Sequence, residues 1–150
     1  MKKIIPFLIT LLFLNACNNK QGNSDTQKVQ ADSLFKEVMD GHNVAMAKEA
    51  KINDLQTAVQ KALDSVSKLP AKAQQALAPY KSKLQETDLL LKDAWAGMTK
   101  WMEDFKYDSA ENNLEQRIKY LTDEKLKVGK VKEAILGSLQ KADSLFKAKL

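Results

Sequence analysis

Residues 77–105 read LAPYKSKLQETDLLLKDAWAGMTKWMEDF, and their apolar side chains recur every seven residues. One series is Leu77, Leu84, Leu91, Met98 and Phe105, and the companion series is Tyr80, Thr87, Ala94 and Trp101. Apolar residues sustained at the a and d positions of a heptad are typical of helices with a left-handed, coiled-coil-like packing seam. The stretch therefore predicts a long helix with one apolar face.

The same period appears on both sides of this stretch. The preceding segment carries the series Val38, Ala45, Ile52, Val59 and Val66, with Leu34, Leu55, Ala62, Leu63 and Leu69 beside it. The following segment carries the series Leu114, Leu121, Val128, Ile135 and Ala142, with Ile118, Leu139 and Phe146 beside it. No strand-like alternation competes with these patterns, so the chain is predicted to be all-α.

Helix breakers and caps place the predicted boundaries. Pro70 ends the first helix, because the residue before a proline is pushed out of the α region. Pro79 is expected to kink or break the chain near the start of the second helix. Asp108, followed three positions later by Glu111, matches a capping box for the third helix. Since short connections make neighbouring helices antiparallel, residues 32–150 are predicted to form an elongated up-down-up three-helix bundle with coiled-coil-like packing.

The N-terminal residues have the features of an export signal. Met1-Lys2-Lys3 is followed by a largely apolar stretch from Ile4 to Leu14 and a small residue, Ala16, as in a secretory signal peptide. This stretch is shorter than the roughly 20 apolar residues that a spanning helix needs. Leu14-Asn15-Ala16-Cys17 resembles the lipobox of bacterial lipoproteins. The alternative is an ordinary signal peptide with a cysteine there by chance.

The lipobox resemblance implies cleavage of residues 1–16 and attachment of diacylglycerol and an acyl chain to Cys17. Residues 17–31 are then predicted to be the lipidated cysteine and a flexible tether, because residues 18–30 (NNKQGNSDTQKVQ) are polar apart from Val29. The expected location is the bacterial cell envelope, with the periplasmic face of the outer membrane favoured. Lipidation would consume the only cysteine, which leaves no thiol for a disulfide or for catalysis.

Charge and composition argue against several function classes. The formal net charge is +5, to which Lys2 and Lys3 contribute two, and Arg117 is the only arginine. Nucleic-acid sites depend on arginine for bidentate contacts, so nucleic acid is not expected as a partner. With one histidine and no glycine-rich phosphate loop, an enzyme is not expected either.

Methionine and histidine side chains are concentrated in two segments that can meet. Met39, His42 and Met46 share one helix face, and Met98 and Met102 share a face of the second helix with a neighbouring tryptophan. Counting from the Leu69-Pro70 turn places His42 level with Met98.

Thioethers and an imidazole suit Cu(I), and an indole can cap a cation, so these five residues are a candidate soft-metal site. The alternative is that the methionines fill gaps in the core. Arg117 is expected at the same height, where it would disfavour a cation.

A second set of polar residues falls in or beside the apolar stripes of the middle of the bundle. Counting from Tyr107 places Asp88 of the second helix level with Lys125 of the third, and Lys132 lies two turns further on. These residues are a candidate polar layer that fixes helix register. The alternative is that both lysines extend to water.

One stretch also carries a family resemblance. Residues 38–48 (VMDGHNVAMAK), together with Trp101-Met102 and Phe105, resemble a group of small bacterial lipoproteins labelled "viral A-type inclusion protein". The resemblance implies a helical envelope lipoprotein, and it implies no activity for this chain.

The sequence thus predicts a non-catalytic binding or structural module, with membrane lipid as its partner through Cys17 and a second envelope protein as a candidate partner. No cofactor is expected beyond the covalent lipid, and a soft-metal protein is the alternative function.

Overall fold

The computed structural model describes residues 20–148, and their side chains from residue 24 onwards. Five helices make up this part of the chain: α1 Lys20–Met46, α2 Glu49–Ser67, α3 Ala71–Ala76, α4 Ala78–Asp104 and α5 Leu114–Lys147. No strand occurs among residues 20–148, which confirms the all-α class. The predicted signal peptide, residues 1–16, and Cys17 lie outside the described residues.

The three heptad series supply most of the hydrophobic core. The largest fully buried side chains all belong to them: Val38, Ile52, Val59, Leu84, Leu91, Met98, Leu121, Val128 and Ile135. Fully burying one aliphatic side chain of this size stabilises the fold by about 1.5–3 kcal/mol. Because these residues join one continuous cluster, the described helices pack as a single helical bundle.

The first two helices run in the same direction as α5. Gly41 of α1 lies against Val128, where an added Cβ would sit 3.2 Å from Val128 Cγ1. Ten residues further on, Lys51 of α2 forms an ion pair of 2.5 Å with Asp143. The residue numbers on both elements rise together, so the elements are parallel.

Helix α4 runs antiparallel to α5. Trp101, near the end of α4, donates a hydrogen bond to Glu124 in the first half of α5. Glu86, near the start of α4, lies 3.8 Å from Lys141 near the end of α5. α4 also packs against α2, while α1 packs mainly on α5.

The first predicted helix is interrupted in the structure. α1 ends at Met46, and α2 begins at Glu49 after Lys48 adopts φ −103° and ψ −1°. The amide of Lys48 donates to the carbonyl of Ala45, three residues back instead of four, so the chain tightens locally into a 3₁₀-like turn. Ala45 and Ile52 are both fully buried, so the heptad phase is kept across the interruption. No proline or glycine marks this position, and for that reason the sequence does not predict it.

The predicted flexible tether is wrong for residues 20–31, which belong to α1. Ala31 is already buried at 3% exposure, whereas Val29 is 69% exposed and packs little. Extending a helix from a packed segment adds one hydrogen bond per ordered residue and avoids the cost of nucleation. A polar sequence can therefore continue α1 without contributing to the core, and the predicted domain boundary at residue 32 does not mark the start of the helix.

Pro79 lies at a break between two helices, which is one of the two outcomes predicted for it. α3 ends at Ala76, Leu77 separates the two helices, and α4 begins at Ala78 with Pro79 in its first turn. The first turn tolerates proline because its amide positions have no intrahelical acceptor.

The predicted capping box at Asp108 is wrong, because α5 begins at Leu114 with Asn113 as its N-cap. The side chain of Asn113 accepts a hydrogen bond of 3.1 Å from the amide of Gln116. Ala110 adopts φ 57°, a left-handed conformation that interrupts any helix starting at Asp108. α5 thus starts later than predicted.

Two glycines should respond differently to alanine. Gly129→Ala meets nothing within 4 Å and should raise the free energy of unfolding by about 0.5–1 kcal/mol, because alanine favours a helix interior. Gly41→Ala should give a smaller gain or a loss, because its Cβ would press on Val128. Urea unfolding of both variants measures the difference, and equal gains would contradict the close approach of α1 to α5.

Candidate functional site

The aromatic cluster, formed by Trp101, Phe105 and Tyr120, lies where α4 ends against α5. Trp101 stacks on Phe105 with ring centroids 4.9 Å apart, and Phe105 lies 6.0 Å from Tyr120 in a similar orientation. His42 of α1 also contacts the cluster, with its ring centroid 5.7 Å from that of Trp101. The only histidine of the chain is thus held against an indole.

Glu124 is a buried acid beside this cluster, with only 4% of its surface exposed. Its Oε2 accepts a hydrogen bond of 2.9 Å from the indole Nε1 of Trp101, and its Oε1 lies 2.7 Å from the ammonium of Lys127. A buried carboxylate needs such partners because desolvation otherwise disfavours its charge. Glu124 is not among the predicted site residues, although it lies three residues after Leu121 on the same helix face.

Trp101→Phe should lower the free energy of unfolding by about 1–3 kcal/mol, because it leaves a buried carboxylate oxygen without its donor. In the double variant Trp101→Phe/Glu124→Met, part of this loss should disappear, since no carboxylate then remains to be satisfied. A double-mutant cycle measured by denaturant unfolding gives the coupling, which is expected at about 0.5–3 kcal/mol. Strict additivity of the two substitutions would contradict the hydrogen bond.

The connection between α4 and α5 is held by Arg117 and Phe35. The Arg117 guanidinium donates to the carbonyl oxygens of Tyr107 (3.1 Å) and Ser109 (2.8 Å). It also lies 5.8 Å from the ring centroid of Phe35, which contacts Tyr107 edge to face at 5.0 Å. Arg117 therefore acts at the level of Phe35, about two turns from His42, and the expectation that it reaches His42 is wrong.

Tyr120 fixes the first residues after α4. Its hydroxyl accepts a hydrogen bond of 2.6 Å from the amide of Lys106. Burial raises the pKa of the Tyr120 phenol above its ordinary value, although the hydrogen bond from the Lys106 amide acts in the opposite direction. The phenol therefore stays neutral at physiological pH.

The structure brings together two of the five predicted metal ligands. His42 Nε2 lies 3.3 Å from the sulfur of Met102, one helical turn beyond Met98, with which the sequence placed it level. Met98 is fully buried in the core. Met39 and Met46 are half-buried on α1, one turn before and one turn after His42.

The predicted polar layer does not form. Asp88 pairs with Lys92 of its own helix at 2.6 Å, and Lys132 lies 3.4 Å from Glu133. Lys125 pairs with Glu37 of α1. The proposed contact of Asp88 with either lysine is therefore wrong.

The error in the polar layer comes from the register of α4 against α5. The contacts of Trp101 with Glu124 and of the Lys106 amide with Tyr120 place the point of reversal near residue 113. Counting from Tyr107 therefore misplaces α5 by several turns. The inward position on α5 is also occupied by Glu124, which turns the adjacent Lys125 toward α1.

A groove of about 450 Å³ lies between α4 and α5, far from the aromatic cluster. Leu90 and Leu145 contribute apolar surface to it, and Lys83, Glu86 and Lys141 contribute charge. Its volume falls within the range of roughly 300–1,000 Å³ that is usual for ligand sites. The groove is open to solvent, and its charged residues include the Glu86–Lys141 pair.

Two further features are absent from residues 20–148. This part of the chain contains no group of three or more histidine, cysteine, aspartate or glutamate side chains placed to hold a metal ion. None of its helices combines the length and the apolar character needed to cross a membrane.

Comparisons of the chain with protein-family models, with curated proteins and with solved structures find no match. The resemblance to small bacterial lipoproteins therefore stays a prediction from the sequence.

Proposed function

We propose that the chain is a lipid-anchored lipoprotein of the bacterial cell envelope whose helical part is a non-catalytic binding or structural module. The observation that carries the proposal is the position of Cys17, directly after the apolar stretch and Leu14-Asn15-Ala16. A diacylglycerol together with an acyl chain would hold the protein firmly, since one acyl chain alone gives only marginal membrane binding.

The start of α1 limits how far a lipid on Cys17 would lie from that helix. α1 begins at Lys20, three residues after Cys17 in the sequence. Three residues span at most about 10 Å even when fully extended. A lipid on Cys17 would therefore keep the N-terminal end of α1 near the membrane surface, while the packed residues, which begin at Ala31, lie farther along the helix.

The finer architecture proposed for the helical part is an elongated up-down-up three-helix bundle. In this proposal α1 and α2 form the first arm, α3 and α4 the second, and α5 the third. The parallel contacts of Gly41 with Val128 and the antiparallel contact of Trp101 with Glu124 support it. The 34 residues of α5 would give a long dimension of about 50 Å.

The hydrogen bonds and ion pairs of the polar side chains support a non-catalytic role. Glu124, the acid buried in the core, is held by Trp101 and Lys127. The hydroxyls of Ser65 and Ser138 donate to carbonyl oxygens of their own helices. These groups stabilise helices and helix contacts, and none is arranged as a nucleophile beside a base.

Fractionation of cells that produce the full chain tests the proposal. The protein should sediment with membranes, remain there after washes with high salt and alkaline carbonate, and dissolve only in detergent. Release by salt alone would contradict the anchor, because it would show that the lysine-rich surface binds anionic membranes only electrostatically.

A further inference from the structure

We infer that His42 and Met102 form a binding site for a soft monovalent cation of the Cu(I) type, next to the indole of Trp101. The inference goes beyond the proposed function and does not depend on the anchor. Three features support it: the contact of an imidazole nitrogen with a thioether, the hydrogen bond that orients the imidazole, and the neighbouring aromatic face.

In the tautomer that carries its proton on Nδ1, the contact joins two electron-pair donors. His42 Nε2 lies 3.3 Å from the sulfur of Met102. In zinc sites a histidine nitrogen lies about 2.0 Å and a cysteine thiolate sulfur about 2.3 Å from the ion, and we take similar lengths for a thioether. Two bonds of these lengths span a separation of 3.3 Å with a bent geometry, so one ion can contact both atoms without large movement of either helix.

The orientation of the imidazole leaves Nε2, the nitrogen that faces Met102, available to bind a metal. His42 Nδ1 lies 3.1 Å from the side-chain oxygen of Asn43. With Nδ1–H donating to that oxygen, Nε2 carries the lone pair that faces Met102. Histidine ligands commonly donate their second ring N–H to an oxygen in this way, which fixes the tautomer and orients the ring.

The surroundings favour a cation of low charge. Trp101 lies beside the imidazole with ring centroids 5.7 Å apart, and an indole face attracts cations. Met39 and Met46 flank His42 by one helical turn on either side and could supply a further thioether. Thioether and imidazole ligands select Cu(I) over harder ions. Met102 is 38% exposed, so an ion can enter from solvent.

The experiment uses the full chain in detergent with Cys17→Ser, which removes its only thiol. Cu(I) is titrated under anaerobic conditions against a chromophoric Cu(I) chelator. We expect one equivalent to bind and to raise the melting temperature, because a ligand that binds only the native state stabilises it. Zn(II) should have a much smaller effect.

Variants locate the ion. His42→Ala and Met102→Leu should each lower the affinity for Cu(I) by at least about tenfold. Loss of a residue that only orients a metal ligand already costs about that much, and loss of the ligand itself should cost no less. Met98→Leu is the matched control, since Met98 is fully buried in the core, and it should leave the affinity unchanged. Met102→Leu roughly conserves side-chain volume, so its effect would not arise from misfolding.

Asn43 is proposed as a positioning residue. Asn43→Ala should weaken Cu(I) binding by about tenfold, and Asn43→Asp should restore it, because a carboxylate also accepts the Nδ1 proton. The site is overturned if Cu(I) fails to compete with the chelator. It is also overturned if binding survives both His42→Ala and Met102→Leu, or if Met98→Leu weakens binding as much as Met102→Leu does.

Discussion

Cys17→Ser should convert the protein from a membrane-bound form into an unprocessed or soluble one. The substitution removes the atom that would carry the lipid, and the remaining apolar stretch from Ile4 to Leu14 is too short to span the bilayer as a helix. We expect the variant to lose incorporation of labelled palmitate completely. Its far-ultraviolet circular dichroism should be unchanged, because the packed residues begin well beyond position 17.

A neighbouring substitution provides the control for Cys17→Ser. Asn18→Ser changes a polar residue directly after the cysteine and leaves the sulfur in place, so the variant should remain labelled and membrane-bound. If Cys17→Ser incorporates labelled palmitate as the wild type and Asn18→Ser do, labelling does not depend on the sulfur of Cys17, and the lipid anchor is refuted.

Leu91→Ala should lower the free energy of unfolding by about 2–5 kcal/mol, the usual cost of removing a large side chain from a packed core. Leu91 is fully buried in α4, whereas Leu89 on the same helix is 59% exposed. Since the free energy of unfolding of small domains is about 5–15 kcal/mol, the substitution should remove a large part of the total stability.

Leu89→Ala is the matched control, and its effect should stay within about 0.5 kcal/mol. Guanidinium unfolding followed by circular dichroism measures both variants. Similar losses at the two positions would mean that α4 turns a different face to α2 and α5 than the structure shows.

Much of the packing could be predicted because the heptad period is a local property of the sequence. Ile52, Leu84 and Ile135 each belong to a predicted series, and each is fully buried. A left-handed seam requires apolar residues at just these intervals, so one sequence contains enough information to identify the core face of each helix. The all-α class follows from the same pattern.

The register between helices could not be predicted in the same way, because it depends on the path of the connections. The structure places Ala110 at a positive φ and Asn113 at the N-cap of α5, and this shifts Asp88 several turns away from Lys125. Arg117 stabilises that path through the carbonyl oxygens of Tyr107 and Ser109. None of these contacts has a signature in the local pattern.

The sequence placed the candidate residues at the end of α4 more accurately than those in the middle of the bundle. Counting from Pro70 placed His42 near the end of α4, and the structure brings His42 to Met102, because the interruptions at residues 47–48 and at Leu77 are short. Glu124 escaped prediction because a glutamate is rarely found buried. Its position becomes understandable only when Trp101 and Lys127 are seen to satisfy its two oxygens.

The mass of the N-terminal peptide from the membrane-extracted protein is the most direct test of the proposed anchoring. We expect the mature chain to begin at Cys17 and this residue to carry a diacylglyceryl group and an acyl chain. A chain that begins at Met1, or an unmodified Cys17 within a peptide cleaved elsewhere, would contradict it.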